Sequence, residues 1–280
     1  MNIGFIGAGK VAFSLGKYLT ERGVKVTGYY NRNSQSSMEA AKFTNTRQYI
    51  NMRYLVEDSD VVLLAVPDGA IKPVWEQLKM LPIQNKVIGH FSGSLSSAVF
   101  SDIERYHAYG YSIHPLFAIN DKYNSYKELS HAFFTVEGHP KYLNRFVHLF
   151  ESFGNSVEVI SAQDKKRYHA SAAMVSNLYV GLVHMCEEVL RSCGFSSRNV
   201  HRALSPLIMG NAENIVNYGT EGALTGPVER NDLLTVLDHI ACLSDEETEV
   251  YKCLSKQVLK VAKEKHPERD YGEMERTIMK

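Results

Sequence analysis

The sequence predicts an α/β chain in two parts, a doubly wound parallel sheet over residues 1–160 followed by an all-helical domain over residues 161–280. In the first part, short β-rich runs alternate with helical stretches, as the strand–helix–strand crossovers of a parallel sheet require. One run, DVVLLAV from Asp60 to Val66, is apolar from its second residue onward, which indicates a strand buried on both faces. Beyond Ala162, long helical patterns dominate and strand signals nearly vanish.

The elements of the first part follow one another at short intervals. The predicted strands are Asn2–Ile6, Val24–Tyr30, Asp60–Val66, a run from Lys86 to His90, Ala132–Glu137 and Ser156–Ile160. The predicted helices are Lys10–Arg22, Gln35–Phe43, Ile71–Leu78 and Tyr142–Phe153. In the first helix, Val11, Leu15 and Leu19 recur at helical spacing.

Four helices are predicted in the second part: Gln163–Cys193, Asn199–Tyr218, Asn231–Leu243 and Asp245–Lys265. Gly194 is suited to end the first of them, because glycine accepts the left-handed backbone of a C-terminal cap. Ser244 and Glu247 form a capping-box pattern at the start of the last helix. The segment from Gly219 to Pro227 is predicted to be a loop.

Length, composition and charge exclude several classes of protein. A chain of 280 residues with 44% hydrophobic and 22% charged residues is typical of a globular protein. Its 31 basic and 31 acidic residues cancel, so neither nucleic acid nor a membrane surface is an expected partner. No apolar run approaches the ~20 residues of a membrane helix, and the N-terminus has no pattern of a secretory leader. A cytoplasmic protein is therefore expected.

Cysteine and histidine spacing predicts neither a disulfide framework nor a metal site. The four cysteines form no CxxC pair, and the histidines show no HxxxH or HExxH spacing. We expect the cysteines to be reduced and buried as small apolar side chains. No metal is expected.

A glycine-rich turn is the most informative motif. A GxGxxA pattern lies between the first strand and the first helix and reads Gly7-Ala8-Gly9-Lys10-Val11-Ala12. The first glycine permits the tight turn, the second lets the backbone approach a pyrophosphate, and the alanine lets the helix pack closely on the strand. Free N–H groups at the helix start favour an anion there. The motif predicts a Rossmann domain that binds a dinucleotide, to which Lys10 and Val11 contribute from the helix start.

The end of the second strand predicts NADP rather than NAD. NAD sites place Asp or Glu here to bind the ribose 2′-OH, but this sequence reads Tyr29-Tyr30-Asn31-Arg32-Asn33-Ser34. Arg32 is suited to a phosphate and to the adenine face, Asn31 does not repel a phosphate, and Ser34 adds a hydroxyl. The alternative is that Arg32 is a solvated surface charge.

The ends of the next two strands are expected to line the rest of the cofactor site. Ligands of doubly wound sheets lie beyond the carboxyl ends of the strands. Val66 and Pro67 are therefore predicted to lie beside the nicotinamide ribose, and Ser92 with Gly93 to face the nicotinamide. The alternative for this last pair is an ordinary turn.

Several segments along the chain resemble a group of Rossmann-like NADP-binding oxidoreductases that carry a C-terminal helical domain of unknown function. The segments are FIGAGKVAFSLGKYL, VVLLAVPD, HFSGSLSS, SIHPLFA, RYHASAAMVSN and ALTGPVERND. More distantly, the chain is similar to pyrroline-5-carboxylate reductases, ketopantoate reductases and β-hydroxyacid dehydrogenases. The resemblance implies hydride transfer at a site between the two domains and a homodimer formed through the helical domain.

One departure from the related families concerns the proton donor. The β-hydroxyacid dehydrogenases and ketopantoate reductases use a lysine four residues before an asparagine on the first helix of the second domain. Anchored on Asn177, that position is Ala173 here. The usual proton donor is therefore missing.

Two histidines are candidates for the missing proton donor. His169 lies seven residues before Ser176, so a continuous helix would place both on one face, with Asn177 one step further round. His114 precedes Pro115, which makes it extended, in a segment predicted to be a loop at the mouth of the cleft. An imidazole titrates near pH ~6.5 and suits general acid catalysis. For both histidines the alternative is a structural hydrogen bond.

The motif around Pro227 supplies candidate substrate ligands. Thr225 is expected to present its hydroxyl, and Arg230 to bind a substrate carboxylate with its planar fork. Asp232 either pairs with Arg230 or lies near a helix start.

The sequence therefore predicts an NADP-dependent oxidoreductase that reduces a small carbonyl or imine compound bearing a carboxylate, in a cleft between the domains. The alternative is a sensor or regulatory module that binds NADP(H) without turnover, which the missing lysine favours.

Overall fold

The computed structural model describes residues 1–279, and the chain divides by contact into two compact units, Met1–Ser176 and Asn177 onward. The first unit extends beyond the predicted boundary at residue 160, because the helix that follows residue 160 is bonded to the sheet through Lys165. Within the described residues, no helix combines the length and hydrophobicity that crossing a bilayer would take.

The first unit contains eight strands: β1 Asn2–Ile6, β2 Lys25–Tyr30, β3 Arg47–Tyr49, β4 Val61–Leu64, β5 Val87–His90, β6 Tyr109–Leu116, β7 Phe133–Gly138 and β8 Val157–Val159. Its α-helices are α1 Lys10–Glu21, α2 Ser34–Thr44, α3 Met52–Asp58, α4 Asp68–Leu78, α5 Pro140–Glu151 and α6 Lys165–Ala173. Short 3₁₀ turns lie at Ser97–Val99, Ile103–Tyr106 and Ser125–His131.

The strands form one sheet in the order β3-β2-β1-β4-β5-β6-β7-β8. Every neighbouring pair is parallel except β6 with β7. The predicted α/β class and doubly wound sheet are confirmed, although the antiparallel pair was not predicted. The central strand β4 is buried at all four positions, as its continuous apolar run predicts.

Register aligns the carboxyl ends of β2, β1, β4 and β5 at one edge of the sheet, in one row with Ser112 inside β6. Ile6 pairs with both Tyr30 and Leu64, Leu64 pairs with His90, and His90 pairs with Ser112. The turns and loops that follow the ends of these strands therefore meet at the same edge of the sheet. This register positions the candidate site.

Strand β6 extends past this row and corrects one prediction. His114 lies inside β6, paired with Thr135 of the antiparallel strand β7, so the prediction of a loop around His114 is wrong. The extended backbone expected before Pro115 is confirmed. Strand β5 pairs with β6 only as far as Ser112, whereas β7 pairs with β6 up to Leu116. His114 therefore lies two residues beyond the end of β5 and is held rigidly by its pairing with β7.

Some short elements carried too little pattern to be predicted. Strand β3 has three residues and helix α3 has seven, below the length at which periodicity is informative. Helix α3 is fixed instead by Asn51, whose side chain accepts the Arg53 N–H at its start, and by burial of Leu55 and Val56.

The second unit is helical, as predicted, and begins in a π-helical segment, Met174–Leu178, that separates α6 from α7 Tyr179–Ser192. Four more helices follow: α8 Ser197–Ala223, α9 Leu233–Cys242, α10 Asp245–Lys265 and α11 Gly272–Met279. The prediction of one continuous α-helix from Gln163 to Cys193 is therefore wrong at the π-helical segment. The predicted loop from Gly219 is also wrong in part, since α8 continues after a break at Gly219, where φ is 71°.

The predicted helix ends agree with the structure. Gly194 has φ of 89° and lies just after α7, where the N–H of Phe195 bonds to the carbonyl of Leu190. Ser244 and Glu247 form the expected capping box at the start of α10. The expectation of buried cysteines is wrong, because all four are exposed in the second unit, three on helices and one directly after α7: Cys186, Cys242, Cys253 and Cys193.

Asn155 is a buried amide that joins three parts of the first unit. Its oxygen accepts the Tyr18 hydroxyl of α1 at 2.5 Å, and its nitrogen donates to the carbonyls of Leu129 at 2.7 Å and Ala132 at 2.9 Å. The residue is 4% exposed. Removing the amide leaves a buried hydroxyl and two buried carbonyls without partners, each of which is costly.

Asn155→Ala is therefore expected to lower the free energy of unfolding by about 2–4 kcal/mol. Chemical denaturation followed by circular dichroism measures this change. The matched control is Asn144→Ala on the exposed face of α5, expected to change stability by less than about 0.5 kcal/mol. Equal, small effects of the two variants would contradict the assignment.

Candidate functional site

The turn after β1 has the shape that its glycines predict. Gly7 has φ of 105°, and its N–H donates to the carbonyl of Tyr30 at 2.8 Å. A Cβ on Gly7 would lie 2.2 Å from the carbonyl oxygen of Ala65. Both the backbone conformation and the close approach of β4 therefore require glycine at this position.

Gly9 has a different reason to be glycine. It is exposed, and no atom lies within 4 Å of the position a Cβ would take. It precedes α1 and offers no side chain to cap the helix, so no N-cap side chain bonds the first N–H groups of α1, which include those of Lys10 and Val11. Such a helix start suits a diphosphate. Ala12 of α1, by contrast, is fully buried, as its predicted role in packing the helix on the strand requires.

A cavity of about 490 Å³ lies in front of this turn. It brings together most of the residues predicted to bind the cofactor: Gly7, Ala8, Gly9, Asn31, Arg32, Val66 and Pro67. The sequence analysis missed the opposite wall, which α3 and α4 supply through Met52, Gly69, Ala70, Pro73, Val74 and Gln77. The residues present therefore fit a dinucleotide.

At one end of this cavity the side chains are suited to a phosphate. Arg32 is exposed, and within residues 1–279 no hydrogen bond or ion pair engages it. Asn31 donates to the carbonyl of Asn33 at 3.2 Å, and Asn33 caps α2 by accepting the N–H of Gln35. Ser34 is the first residue of α2, whose first turn contains no acidic residue. A positive helix end and a free guanidinium thus lie at the same corner.

Beyond Pro67, the loops after β4 and β5 are joined by one carboxylate. Asp68, the first residue of α4, accepts the hydroxyls of Ser92 at 2.7 Å and Ser94 at 2.9 Å. The Ser92 hydroxyl in turn accepts the N–H of Leu95 at 3.0 Å. Ser92 thus has a structural hydrogen-bonding role, and its predicted contact with the cofactor stays a prediction.

Two imidazoles meet beside the β5 loop. The rings of His114 and His169 lie 6.1 Å apart at a steep angle. A Cβ on Gly93 would lie 2.4 Å from Cδ2 of His169 and 2.9 Å from Nε2 of His114. Position 93 therefore requires glycine, because the two imidazole rings pack on it and leave no room for a Cβ. The structure thus brings together two histidines that are 55 residues apart in sequence.

His114 also contacts a residue that the sequence analysis did not select. Its Nδ1 lies 2.8 Å from the hydroxyl oxygen of Tyr168 on α6. Burial, aided by the positive charge of Lys165, lowers the pKa of His114 to about 4. The imidazole is therefore uncharged at neutral pH.

Lys165 is the second residue that sequence reasoning missed. Its ammonium is buried, at 1% exposure, and donates to the carbonyl of Ser92 at 2.9 Å and to the Ser112 hydroxyl at 2.8 Å. Burial lowers its pKa to about 8. The signal was present in the sequence, because Lys165 precedes Tyr168 by three residues and His169 by four.

Ser176 and Asn177 lie in the π-helical segment and are exposed. The Ser176 hydroxyl donates to the carbonyl of Ala172 at 2.7 Å. The interpretation that His169 and Ser176 share a helix face rested on a regular α-helix, so it is not supported. π-helical turns are nevertheless frequent at functional sites.

Thr225 and Arg230 belong to the second unit. Thr225 lines an apolar cavity of about 530 Å³ formed by the helices of that unit, and Arg230 is exposed. Asp232 caps α9 by accepting the N–H of Thr235 at 3.2 Å, and within residues 1–279 no ion pair joins it to Arg230. Asp232 was predicted either to pair with Arg230 or to lie near a helix start, and the structure shows it at the start of α9.

Part of the motif around Pro227 stabilises the second unit. Val228 is buried, and the Glu229 carboxylate lies 2.5 Å from Nε2 of His266. Arg269 and Tyr271 both donate to the carbonyl of Glu229. Among residues 1–279, no group of three or more His, Cys, Asp and Glu side chains is placed to hold a metal ion.

Comparison with known families gives the two parts different matches. Residues 2–88 match the family described as NADP oxidoreductase coenzyme F420-dependent, and residues 132–258 match a domain of unknown function, DUF2520. The curated proteins compared with the sequence include no significant match.

Solved structures with the same fold cover nearly the whole chain. A protein from Thermotoga maritima is 25% identical, with a TM-score of 0.72 over 98% of this chain and 99% of that one. A 1-pyrroline-5-carboxylate reductase from Streptococcus pyogenes is 17% identical, with a TM-score of 0.63 over 94% and 98%. An imine reductase from Myxococcus stipitatus, solved with NADP⁺, is 14% identical, with a TM-score of 0.60 over 94% and 93%. The last two likenesses show the fold alone.

The fold and the glycine turn define a dinucleotide-binding protein with a Rossmann domain and a helical C-terminal domain. More particularly, its first part matches the NADP oxidoreductase family, its second part matches the DUF2520 domain, and its fold is shared by pyrroline-5-carboxylate reductases. The predicted family resemblance is confirmed, and the family match confirms NADP as the cofactor.

Arg32→Ala is expected to raise the Kd for NADPH by roughly ten- to a hundredfold, because a charge-assisted bond to the 2′-phosphate is lost. The Kd for NADH should change by less than about twofold, since NADH has no such phosphate. Fluorescence titration measures both constants. Arg53→Ala, an exposed arginine of the same unit paired with Glu57, is the control. An equal loss for both nucleotides would remove the phosphate assignment.

Proposed function

We propose that this protein is an NADP(H)-dependent reductase of a small carbonyl or imine compound that bears a carboxylate. One observation carries the proposal: His114, His169 and Lys165 gather at the same sheet edge as the dinucleotide cavity, joined to it through Asp68. A cavity for binding alone has no need of polar side chains converging beside it. The family match and the reductase fold support the same reaction class.

The cofactor and the protein side chains have different roles in the proposed reaction. The nicotinamide supplies the hydride, and the protein must hold the substrate and deliver a proton. His169 is proposed as the proton donor, and uncharged His114 as a hydrogen-bond donor to the reacting oxygen or nitrogen. Asn177 and Ser176 are proposed to contact substrate or cofactor, and Thr225 and Arg230 to bind the substrate, with Arg230 on its carboxylate. The predicted position of the substrate in a cleft between the domains, and the cytoplasmic location, stay predictions.

A sensor that binds NADP(H) without turnover is the second candidate. Ala173 favours it, because the lysine used by related dehydrogenases is absent at that position. A sensor binds the dinucleotide and oxidises none of it. Following NADPH absorbance with pooled keto acids and cyclic imines separates the two candidates.

His169→Ala is expected to lower kcat by roughly 10²–10⁴-fold, the usual contribution of a general acid, with the Kd for NADPH unchanged within about twofold. Steady-state kinetics and fluorescence titration measure the two quantities. His148→Ala, an exposed histidine of α5, should leave both unchanged. Unchanged turnover in His169→Ala would reject the proton-donor role.

We also propose that a second copy of this chain covers the helical unit. Among its described residues, seven large apolar side chains are more than 60% exposed: Leu178, Val180, Leu207, Met209, Val216, Tyr218 and Leu234. Exposure of this kind marks an interaction surface. Light scattering after gel filtration should give a dimer mass, and Leu207→Lys with Val216→Lys should give a monomer. A wild-type monomer would refute the proposal.

A further inference from the structure

One face of α6 holds the polar side chains at the end of β6. Lys165, Tyr168 and His169 occupy positions i, i+3 and i+4, which lie on the same side of an α-helix. All three point at the ends of β5 and β6, where Tyr168 contacts His114 and His169 contacts Gly93. The helix therefore contributes more to this site than the single histidine chosen from the sequence.

The Lys165 ammonium is buried without a carboxylate in direct contact. Among residues 1–279, its hydrogen bonds go to the Ser92 carbonyl and the Ser112 hydroxyl, and no ion pair reaches it. The nearby carboxylates are occupied elsewhere, Asp68 by Ser92 and Ser94, and Glu137 by the N–H and hydroxyl of Ser97. A buried charge of this kind is expensive, so a compensating role is expected.

The contact between Tyr168 and His114 has a preferred direction. A phenol is a better donor than an imidazole N–H, and an imidazole nitrogen is a better acceptor than a phenol oxygen. Tyr168 is uncharged at neutral pH, because the ordinary pKa of a phenol is about 10 and burial raises the pKa of Tyr168 further. The Tyr168 hydroxyl therefore donates to Nδ1, which leaves the His114 proton on Nε2, the nitrogen that faces Gly93.

We propose that Lys165 and Tyr168 are positioning residues that hold the His114 imidazole uncharged, with its protonated Nε2 directed at the place where a carbonyl oxygen or imine nitrogen is reduced. Tyr168 fixes the tautomer and the ring orientation. Lys165 disfavours a second positive charge beside it and ties the β5 loop to β6. The catalytic consequence rests on the proposed function, whereas the state of His114 does not.

The surrounding charges agree with this arrangement. Burial is the main cause of the low pKa of His114, and Lys165, His169 and His90 lower it further, while Asp68 raises it. His90 is itself uncharged, because burial lowers its pKa to about 4. Lys165 carries a positive charge at neutral pH. Replacing Lys165 therefore removes a positive charge near His114 and leaves the imidazole side chains unchanged.

The test is histidine NMR on the full-length protein, which needs no substrate. The wild-type His114 ring should titrate well below its ordinary pH, with the ¹⁵N shift of a protonated Nε2 and an unprotonated Nδ1. Lys165→Met should raise the titration midpoint by about one pH unit or more, because repulsion of the imidazolium is removed. Lys166→Met, the exposed neighbouring lysine, should leave the midpoint in place. A midpoint near the ordinary value in wild type, or one unmoved by Lys165→Met, overturns the proposal.

If Lys165→Met does not fold, Tyr168→Phe tests the proposed positioning of the His114 imidazole. Loss of the hydroxyl should mix the two His114 tautomers and lower kcat by about tenfold, with the Kd for NADPH unchanged within twofold. An unchanged tautomer refutes the positioning role of Tyr168. If wild type turns over no substrate while the NMR results are as expected, the reductase proposal fails and the assignment of His114 stands.

Discussion

The register of five parallel strands is the constraint on which the rest of the molecule depends. Because Tyr30, Ile6, Leu64 and His90 end their strands in one row, the turns that follow them meet at a single edge, beside Ser112 of β6. The Gly7 turn can then close against Ala65, and the Ser92 loop can reach Asp68. A slip of one residue in any pair would turn alternate side chains to the other face and separate the groups that now converge.

A buried lysine and an exposed aspartate, both bonded to the buried Ser92, give this edge a fixed polar structure. Lys165 holds the Ser92 loop to β6 from one side, and Asp68 holds it to α4 from the other. These hydrogen bonds hold the Ser92 loop in one place between β6 and α4. Gly93 of this loop leaves room for both imidazoles, because a Cβ there would collide with His169 and His114.

The family match over residues 2–88 supports an NADP oxidoreductase and identifies no substrate. Pyrroline-5-carboxylate and imine reductases share this fold at low identity, and one fold commonly serves many substrates. The motif around Pro227, one of the segments that carry the sequence resemblance, proves to be partly structural, since the carbonyl of Glu229 accepts hydrogen bonds from Arg269 and Tyr271. Its exposed members Thr225 and Arg230 are the ones free to contact a ligand.

The sequence by itself determined the Rossmann turn, the absence of a carboxylate after β2, the buried central strand and the helical second part, because each depends on local patterns or periodicity. It also determined the caps at Gly194 and Ser244 for the same reason. Only the tertiary structure decided that His114 lies in a strand, because its partner β7 is distant in sequence. The pairing of Tyr168 with His114 and the burial of Lys165 were likewise beyond local pattern, because they arise only when α6 packs across the ends of β5 and β6.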